Sequence, residues 1–376
     1  MGVDLKELLQ RHVEAGTVPG AVALLGSPES TVVMVGDAVL GGPPIREDAI
    51  FRIQSMTKVV TAVAALRLVA AGRIGLEEPV ERWLPELADR RVLTEPTAGL
   101  TDTVPERSPI TLRHLLTNTS GYGMIAQESP LQEAMTATGL EAGPLPWPVG
   151  ADEWLDRLAA LPLAFQPGDG WRYHHSFGLL GVLLSRVTGG PLADHLAEDL
   201  FAPLGMVDTG FWVPSEECDR LPAAYRHSDA GLVETEPAGG GPYAGPPRVD
   251  VSHGELVSTA RDYARFLAVL VNGGRHEGRQ LISPEDVRQL SRDQVPTVAK
   301  TPESFFPGFW DGIGWGFGVA VQTDGPHQGR WGWSGGQGTD FFVDPDGTVG
   351  VLLTQVELGA QTFPLLAEFQ EASPVG

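Results

Sequence analysis

The apolar positions of the chain change period several times, and each change marks an element. Leu5, Leu8, Leu9, His12 and Val13 recur at helical spacing behind Asp4, with Glu7 three residues on as in a capping box. A helix is therefore expected over residues 4–15, ended by Gly16. Two β-rich runs follow at 21–25 and 31–35, and the turn composition of residues 26–30 between them predicts a hairpin. Residues 50–53 read as extended. From Met56 to Ala71 helix formers continue up to Gly72, with Leu66, Leu68 and Val69 among the apolar positions, which predicts a largely buried helix. Residues 76–250 then carry Pro and Gly punctuation between short helical segments at 111–116, 151–160 and 177–187. Ser258 and Thr259 cap a helix over 260–271 that Asn272-Gly273-Gly274 stops. The last quarter predicts strands at 316–321, 329–333, 340–343 and 348–354, with Asp344-Pro345-Asp346-Gly347 as a turn, and a final helix over 361–371.

A helix and hairpin at the start, with strands and a helix at the end, predict that the two termini build one α/β domain from residues 1–75 and 251–376. A mostly helical insertion, residues 76–250, would lie between them, giving an α+β protein. No internal repeat, low-complexity tract or long like-charge block interrupts this plan.

Charge narrows the partners. Against 48 Asp and Glu stand 26 Lys and Arg, a formal net charge of −22 over 376 residues, which repels nucleic acid and anionic membrane surfaces. The single cysteine, Cys218, cannot close an intramolecular disulfide or supply a multi-Cys metal site. The longest apolar stretch, 59–66, stops at Arg67, far short of a membrane span. The N-terminus lacks the basic flank and apolar stretch of an export signal, so a cytoplasmic protein is expected. With no acidic, Cys or further His ligand at metal spacing, neither a metal nor a cofactor is expected.

Chemistry first enters at Ser55-Met56-Thr57-Lys58, where the extended segment turns into a helix. Residues i and i+3 share a helical face, so the hydroxyl can meet the amine. A serine needs a base, and a lysine serves only if burial or a neighbouring charge lowers its pKa from about 10.4. Taken alone, the same spacing also describes a Ser N-cap followed by an ordinary surface lysine. The flanking context decides between the two.

Phe51-Arg52-Ile53-Gln54-Ser55-Met56-Thr57-Lys58, then Gly72-Arg73-Ile74-Gly75-Leu76 and Trp83-Leu84-Pro85-Glu86, resemble the serine β-lactamase-like superfamily, on the branch of class C β-lactamases and family VIII carboxylesterases. Val18-Pro19-Gly20-Ala21, Leu115-Leu116-Thr117-Asn118-Thr119-Ser120-Gly121, Pro203-Leu204-Gly205-Met206 and Leu256-Val257-Ser258-Thr259-Ala260 recur in the same order. The resemblance covers nearly the whole chain and implies a β-lactamase/transpeptidase-like fold: an antiparallel sheet flanked by terminal helices, with the helical insertion. It also implies a nucleophile, Ser55, with Lys58 and Tyr173 moving the proton. Tyr173, in Trp171-Arg172-Tyr173-His174-His175-Ser176-Phe177, takes the place of the tyrosine in the family's Tyr-x-Asn element. The Asn is absent and His175 falls nearest to it. His174 and His175 are either a pH-sensitive donor near the acyl group or one solvent-facing and one packed ring.

Trp333-Ser334-Gly335 resembles the esterase form of the family's Lys-Thr-Gly strand, and Gly336 would complete an oxyanion hole with the Ser55 amide. A tryptophan in place of the lysine removes the charge offered to a substrate carboxylate. The resemblance therefore implies a carboxylesterase for small neutral acyl esters, with His175, Trp333, Ser334 and Gly335 lining the substrate site. Tyr122, the loop 124–130 and some of the tryptophans are candidates for an acyl pocket. Acyl transfer, or hydrolysis of amides and D-amino-acid peptides, on the same three residues is the alternative, followed by β-lactamase action or a non-catalytic binding protein.

Gly332-Trp333-Ser334-Gly335-Gly336 also fits the G-x-S-x-G nucleophile elbow, which would make Ser334 the nucleophile. That elbow needs a helix after it and a histidine further on. A β-rich run follows instead, and no histidine occurs after His327.

Overall fold

Asp4 caps the first helix: its carboxylate accepts from the N–H groups of Lys6 (2.9 Å) and Glu7 (3.4 Å), and α1 runs Leu5–Glu14. The computed structural model describes residues 4–125, 127–143, 145–248, 252 and 254–373. After α1 come β1 (Gly20–Gly26), β2 (Val33–Gly36), β3 (Phe51–Arg52) and α2 (Thr57–Ala70). Further on lie α3 (His175–Thr188), β4 (Val257–Ser258) and α4 (Ala260–Val271). The chain ends with β5 (Ile313–Trp315), β6 (Ala320–Gln322), β7 (Trp331–Gly335), β8 (Thr339–Val343), β9 (Val349–Leu353) and α5 (Phe363–Gln370).

The main sheet has seven antiparallel strands in the order β5-β6-β7-β8-β9-β1-β2. Its centre joins the two ends of the chain, since β1 pairs with β9 from Val22↔Leu353 to Gly26↔Val349. Strand alternation then sorts the side chains. Ala21 and Ala23 pack with Leu8, Leu9, Leu365 and Phe369 of α1 and α5, whereas Val22 and Leu24 join the core that holds α2 and α4. The sheet is thus covered on both faces, and β8 and β9 are buried along their whole length.

Two strand expectations shift. Residues 316–321 do not form one strand: β5 ends at Trp315, Gly316 N–H bonds to the Val319 carbonyl (2.8 Å), and β6 starts at Ala320. Gly318, at φ 78°, makes that turn possible. The strand expected at 329–333 lies two residues later, because Gly329 (φ 90°) and Arg330, whose N–H reaches the His327 carbonyl at 2.9 Å, still belong to the preceding turn.

Between α2 and β4 the chain adds the helices Leu112–Leu116, Pro130–Ala137, Ala151–Ala159 and Leu192–Leu196. It also carries two antiparallel pairs that helical periodicity does not show, Arg91–Leu93 with Thr103–Pro105 and Ala224–Ser228 with Gly231–Glu236. The second pair lies on the sheet body: Tyr225 N–H bonds to the Gln355 carbonyl at 2.8 Å, and Tyr225 packs with Leu352 and Val356. The expected boundary at 250/251 falls outside the described residues. Among the described residues no single helix is long and apolar enough to cross a membrane.

Candidate active site

Ser55 is delivered by β3, which pairs with β4 through Phe51↔Ser258 and Arg52↔Val257. Ile53 N–H continues that pairing to the Leu256 carbonyl (3.0 Å), and Gln54 then turns the chain at φ 52°, a left-handed conformation that costs a non-glycine residue energy. Ser55 sits in a 3₁₀ turn, Gln54–Met56, and Lys58 in the first turn of α2. Lys58 Nζ lies 3.0 Å from Ser55 Oγ. The lysine is fully buried, with Nζ 4.6 Å over the Tyr173 ring and 6.0 Å from the Phe177 ring. Burial pushes its pKa down from 10.5 to about 7, and the negative charge of buried Glu255 acts in the opposite direction.

Tyr173 lies two residues before α3. Its carbonyl accepts from Met124 N–H (2.8 Å), and its Oη accepts from Trp333 Nε1 (2.5 Å). A further hydrogen bond joins its side chain to Ser55. Burial raises its pKa, and the Ser55 and Trp333 bonds only partly offset this, so the phenol stays protonated near neutral pH. The next residue, His174, has φ 92° and ψ −72°, a strained conformation that separates the direction of Tyr173 from the axis of α3.

The glycines of β7 explain the approach of the strand. A Cβ on Gly335 would lie 2.1 Å from Thr339 Oγ1, 2.5 Å from the Ile53 carbonyl and 3.0 Å from Gln54 Cβ. Glycine alone lets the strand pass against the turn that holds Ser55. Gly336 follows, with the Gln54 Oε1 3.9 Å from its Cβ position.

Ser55, Lys58, Tyr173, Trp333, Gly335 and Gly336 therefore converge. Ser334 does not: alternation turns it to the opposite face, where Oγ donates to Asp340 Oδ1 at 2.7 Å and Gln370 Nε2 of α5 donates to Oδ2 at 3.1 Å. Burial raises the Asp340 pKa to about 6. After β7 a tight turn, Gly338 N–H to the Gly335 carbonyl (3.0 Å), leads straight into β8, so the nucleophile-elbow helix is absent. Both histidines are buried, and neither faces solvent. His175 holds the Leu140 carbonyl at 2.6 Å and lines a cavity of about 250 Å³ with Met124, Ile125 and Met135. The His174 ring stands 5.9 Å from that of Tyr173 and 6.3 Å from that of Trp147.

Several residues at the site gave no signal in the sequence. Phe305 packs 5.2 Å from Tyr173, within an aromatic wall that includes Trp171, Trp315 and Trp333. Glu255 directly precedes the Leu256-Val257-Ser258-Thr259 run, and its position was the one available hint. Tyr243, whose Oη accepts from Gln54 Nε2 (3.1 Å), lies far from Ser55 in sequence. Among the described residues no group of three His, Cys, Asp or Glu is placed to hold a metal ion.

A serine beside a buried lysine at the start of a core helix, faced by a tyrosine and a glycine-rich antiparallel strand, defines a protein of the serine β-lactamase/transpeptidase-like fold. The chain belongs to the Beta-lactamase family, whose model matches residues 5–369. It is 36% identical over 361 residues to Protein Rv1367c of Mycobacterium tuberculosis, covering 92% of this chain and 88% of that protein. To Esterase EstB of Burkholderia gladioli it is 33% identical over 357 residues, covering 88% and 83%. The solved structure of EstCE1, described as a hydrolase with promiscuous acyltransferase activity, matches with a TM-score of 0.77 at 26% identity over 96% of this chain and 95% of that one.

Proposed function

We infer that the protein is a serine carboxylesterase working through an acyl-enzyme, with a small neutral acyl ester as substrate. The observation that carries this reading is the 3.0 Å approach of Lys58 Nζ to Ser55 Oγ at a lysine that burial brings to a pKa of about 7. Neutral Lys58 accepts the Ser55 proton as Oγ attacks the ester carbonyl carbon. The N–H groups of Ser55 and Gly336 receive the oxyanion that forms. Tyr173, protonated and hydrogen-bonded to Ser55, hands its proton to the departing alkoxide and is reprotonated by the Lys58 ammonium. The alcohol leaves, and Ser55 carries the acyl group. Water then attacks the acyl carbon and gives up a proton along the same path, which releases the acid and restores the serine.

Trp333 supports the choice of a neutral ester. It sends its N–H to Tyr173 and presents no positive charge to a substrate carboxylate. The names of the relatives support the class, one being an esterase and another a hydrolase with acyltransferase activity. The second description favours acyl transfer to an alcohol or amine as the competing reading, on the same acyl-enzyme.

The test is turnover of p-nitrophenyl butyrate together with mass spectrometry of the trapped protein. An acyl or fluorophosphonate adduct on Ser55 is expected, and Ser55→Ala should lose at least about a thousandfold in kcat. Full activity in Ser55→Ala would refute the scheme. Added alcohols and amines separate the two outcomes, since a transferase gives the new ester or amide in preference to free acid.

A further inference from the structure

A further cavity lies away from the residues just described. It has a volume of about 480 Å³, within the usual range for small-molecule sites, and none of Ser55, Lys58, Tyr173 or Trp333 lines it. Its floor is apolar: Ile50, Phe201, Phe211, Val213 and Val257 are buried there, and the partly exposed indole of Trp212 forms one side.

The walls are held by the fold. One is the irregular helical stretch 192–204, where a π-turn, Ala197–Phe201, widens the helix. The other is the loop 207–217, tied to β4 by Gly210 N–H to the Val257 carbonyl (3.1 Å) and Val257 N–H to the Gly210 carbonyl (2.7 Å). The opening therefore does not depend on a loose segment.

Its polarity has one sign. Asp194, Asp208, Glu216 and Glu217 line the cavity, and among its described lining residues there is no lysine, arginine or histidine. Arg220, a cation nearby, is engaged by Asp208 at 2.6 Å and Glu217 at 2.9 Å, while Asp194 and Glu216, the latter accepting from Ser215 Oγ at 3.1 Å, are exposed carboxylates. A protein of net charge −22 adds no compensating field.

We propose that this cavity is a second binding site, for an organic ammonium ion with an apolar body. The apolar part fills the floor, and the ammonium lies between the Trp212 indole and the carboxylates of Asp194 and Glu216. Aromatic face and carboxylate both favour a cation, and a carboxylate-bearing ligand of the same shape is repelled.

The probe set is 4-phenylbutylammonium, 4-phenylbutanol and 4-phenylbutanoate, measured by calorimetry and saturation-transfer NMR on the full chain. Binding is measured both on the free enzyme and after Ser55 is blocked with a fluorophosphonate. The ammonium should bind at about millimolar Kd or tighter, the alcohol at least about threefold more weakly, and the carboxylate not measurably. Blocking Ser55 should change none of this. Trp212→Leu should weaken the ammonium about threefold or more, and the surface variant Asp194→Asn/Glu216→Gln should abolish the preference for ammonium over alcohol. Absence of ammonium binding at ten-millimolar probe would overturn the proposal, as would equal binding of the carboxylate. Retention of the ammonium preference in the double surface variant, or loss of binding on blocking Ser55, would overturn it as well. Because the double variant changes only exposed carboxylates, the test does not rest on a core substitution, and Ser55 labelling by fluorophosphonate keeps it separate from the esterase reading.

Discussion

Lys58 sets a quantitative expectation for the pH dependence of acylation. A lysine at its ordinary pKa of 10.5 is neutral in roughly one molecule in 3,000 at pH 7, whereas one at about 7 is neutral in about half. Burial thus supplies a gain of about a thousandfold in competent base, before any contribution from orientation. With the neutral amine as the proposed active form, kcat/KM should fall by about tenfold from pH 8 to pH 6 and level off above pH 8.

Glu255 provides the perturbation. Its carboxylate is 2% exposed and lies on a segment anchored to the Ser55 turn, with Leu256 N–H bonded to Thr57 Oγ1 at 3.1 Å. Its charge favours the Lys58 ammonium, while Ser55, Tyr173 and Phe177 face the same Nζ without charge. Glu255→Gln removes the favourable charge, so the acid limb should move to lower pH. Each half unit of movement is worth about a threefold gain at pH 6 and almost nothing at pH 9. The assay is p-nitrophenyl butyrate hydrolysis from pH 5 to 9, with the rate of fluorophosphonate labelling of Ser55 followed in parallel. The labelling rate reads acylation without product release. A limb that stays in place or moves upward in Glu255→Gln, or a wild-type rate still rising tenfold per pH unit up to pH 9, would refute a Lys58 base tuned by burial and Glu255.

Other expectations follow from the same geometry. Trp333→Phe removes the N–H that reaches Tyr173 Oη and keeps an aromatic ring, so kcat should drop about three- to tenfold with little change in melting temperature. Gly335→Ala places a methyl 2.1 Å from Thr339 Oγ1 and 2.5 Å from the Ile53 carbonyl. It should cost about 1–3 kcal/mol in denaturant unfolding, and Ser55 labelling should slow far more than that loss alone explains. Asp340 has a folded-state pKa raised from 3.8 to about 6, so its stabilising contribution is present below pH 3.8 and is lost as pH rises through about 6. Asp340→Asn removes that loss, with the Gln370 amide rotating to present its oxygen. The variant should gain on the wild type by up to about 3 kcal/mol between pH 4 and pH 7, and a gap in melting temperature that does not widen with pH would contradict the burial argument.

Local elements were legible wherever short-range chemistry dictates them. Asp4 and Thr259 cap the helices that their spacing announces, and the run from Met56 produces a helix buried almost throughout. The continuous apolar runs of β1 and β9 read as strands from their β-rich composition between turn residues, and they are apolar throughout because both of their faces are covered. Ser55 and Lys58 could be paired from sequence because they stand at i and i+3 where a helix begins, and Tyr173 because the flanking run resembles a known element. Gly316 and Gly318 misled the strand reading, since a glycine that permits a strand equally permits the turn observed there.

The chain by itself determined the class of the fold, the candidate nucleophile with its lysine neighbour, and a net charge of −22. Only the tertiary structure decided the electrostatics. The pKa of Lys58 depends on burial by residues more than a hundred positions away, such as Tyr173 and Phe177, and on Glu255, which lies just ahead of the strand that pairs with β3. Ser334 and Trp333 are adjacent in sequence, yet strand alternation sends one to Asp340 and the other to Tyr173. Desolvation and sidedness arise from which surfaces meet. A linear sequence does not state them, because they belong to pairs of residues that become neighbours only after folding.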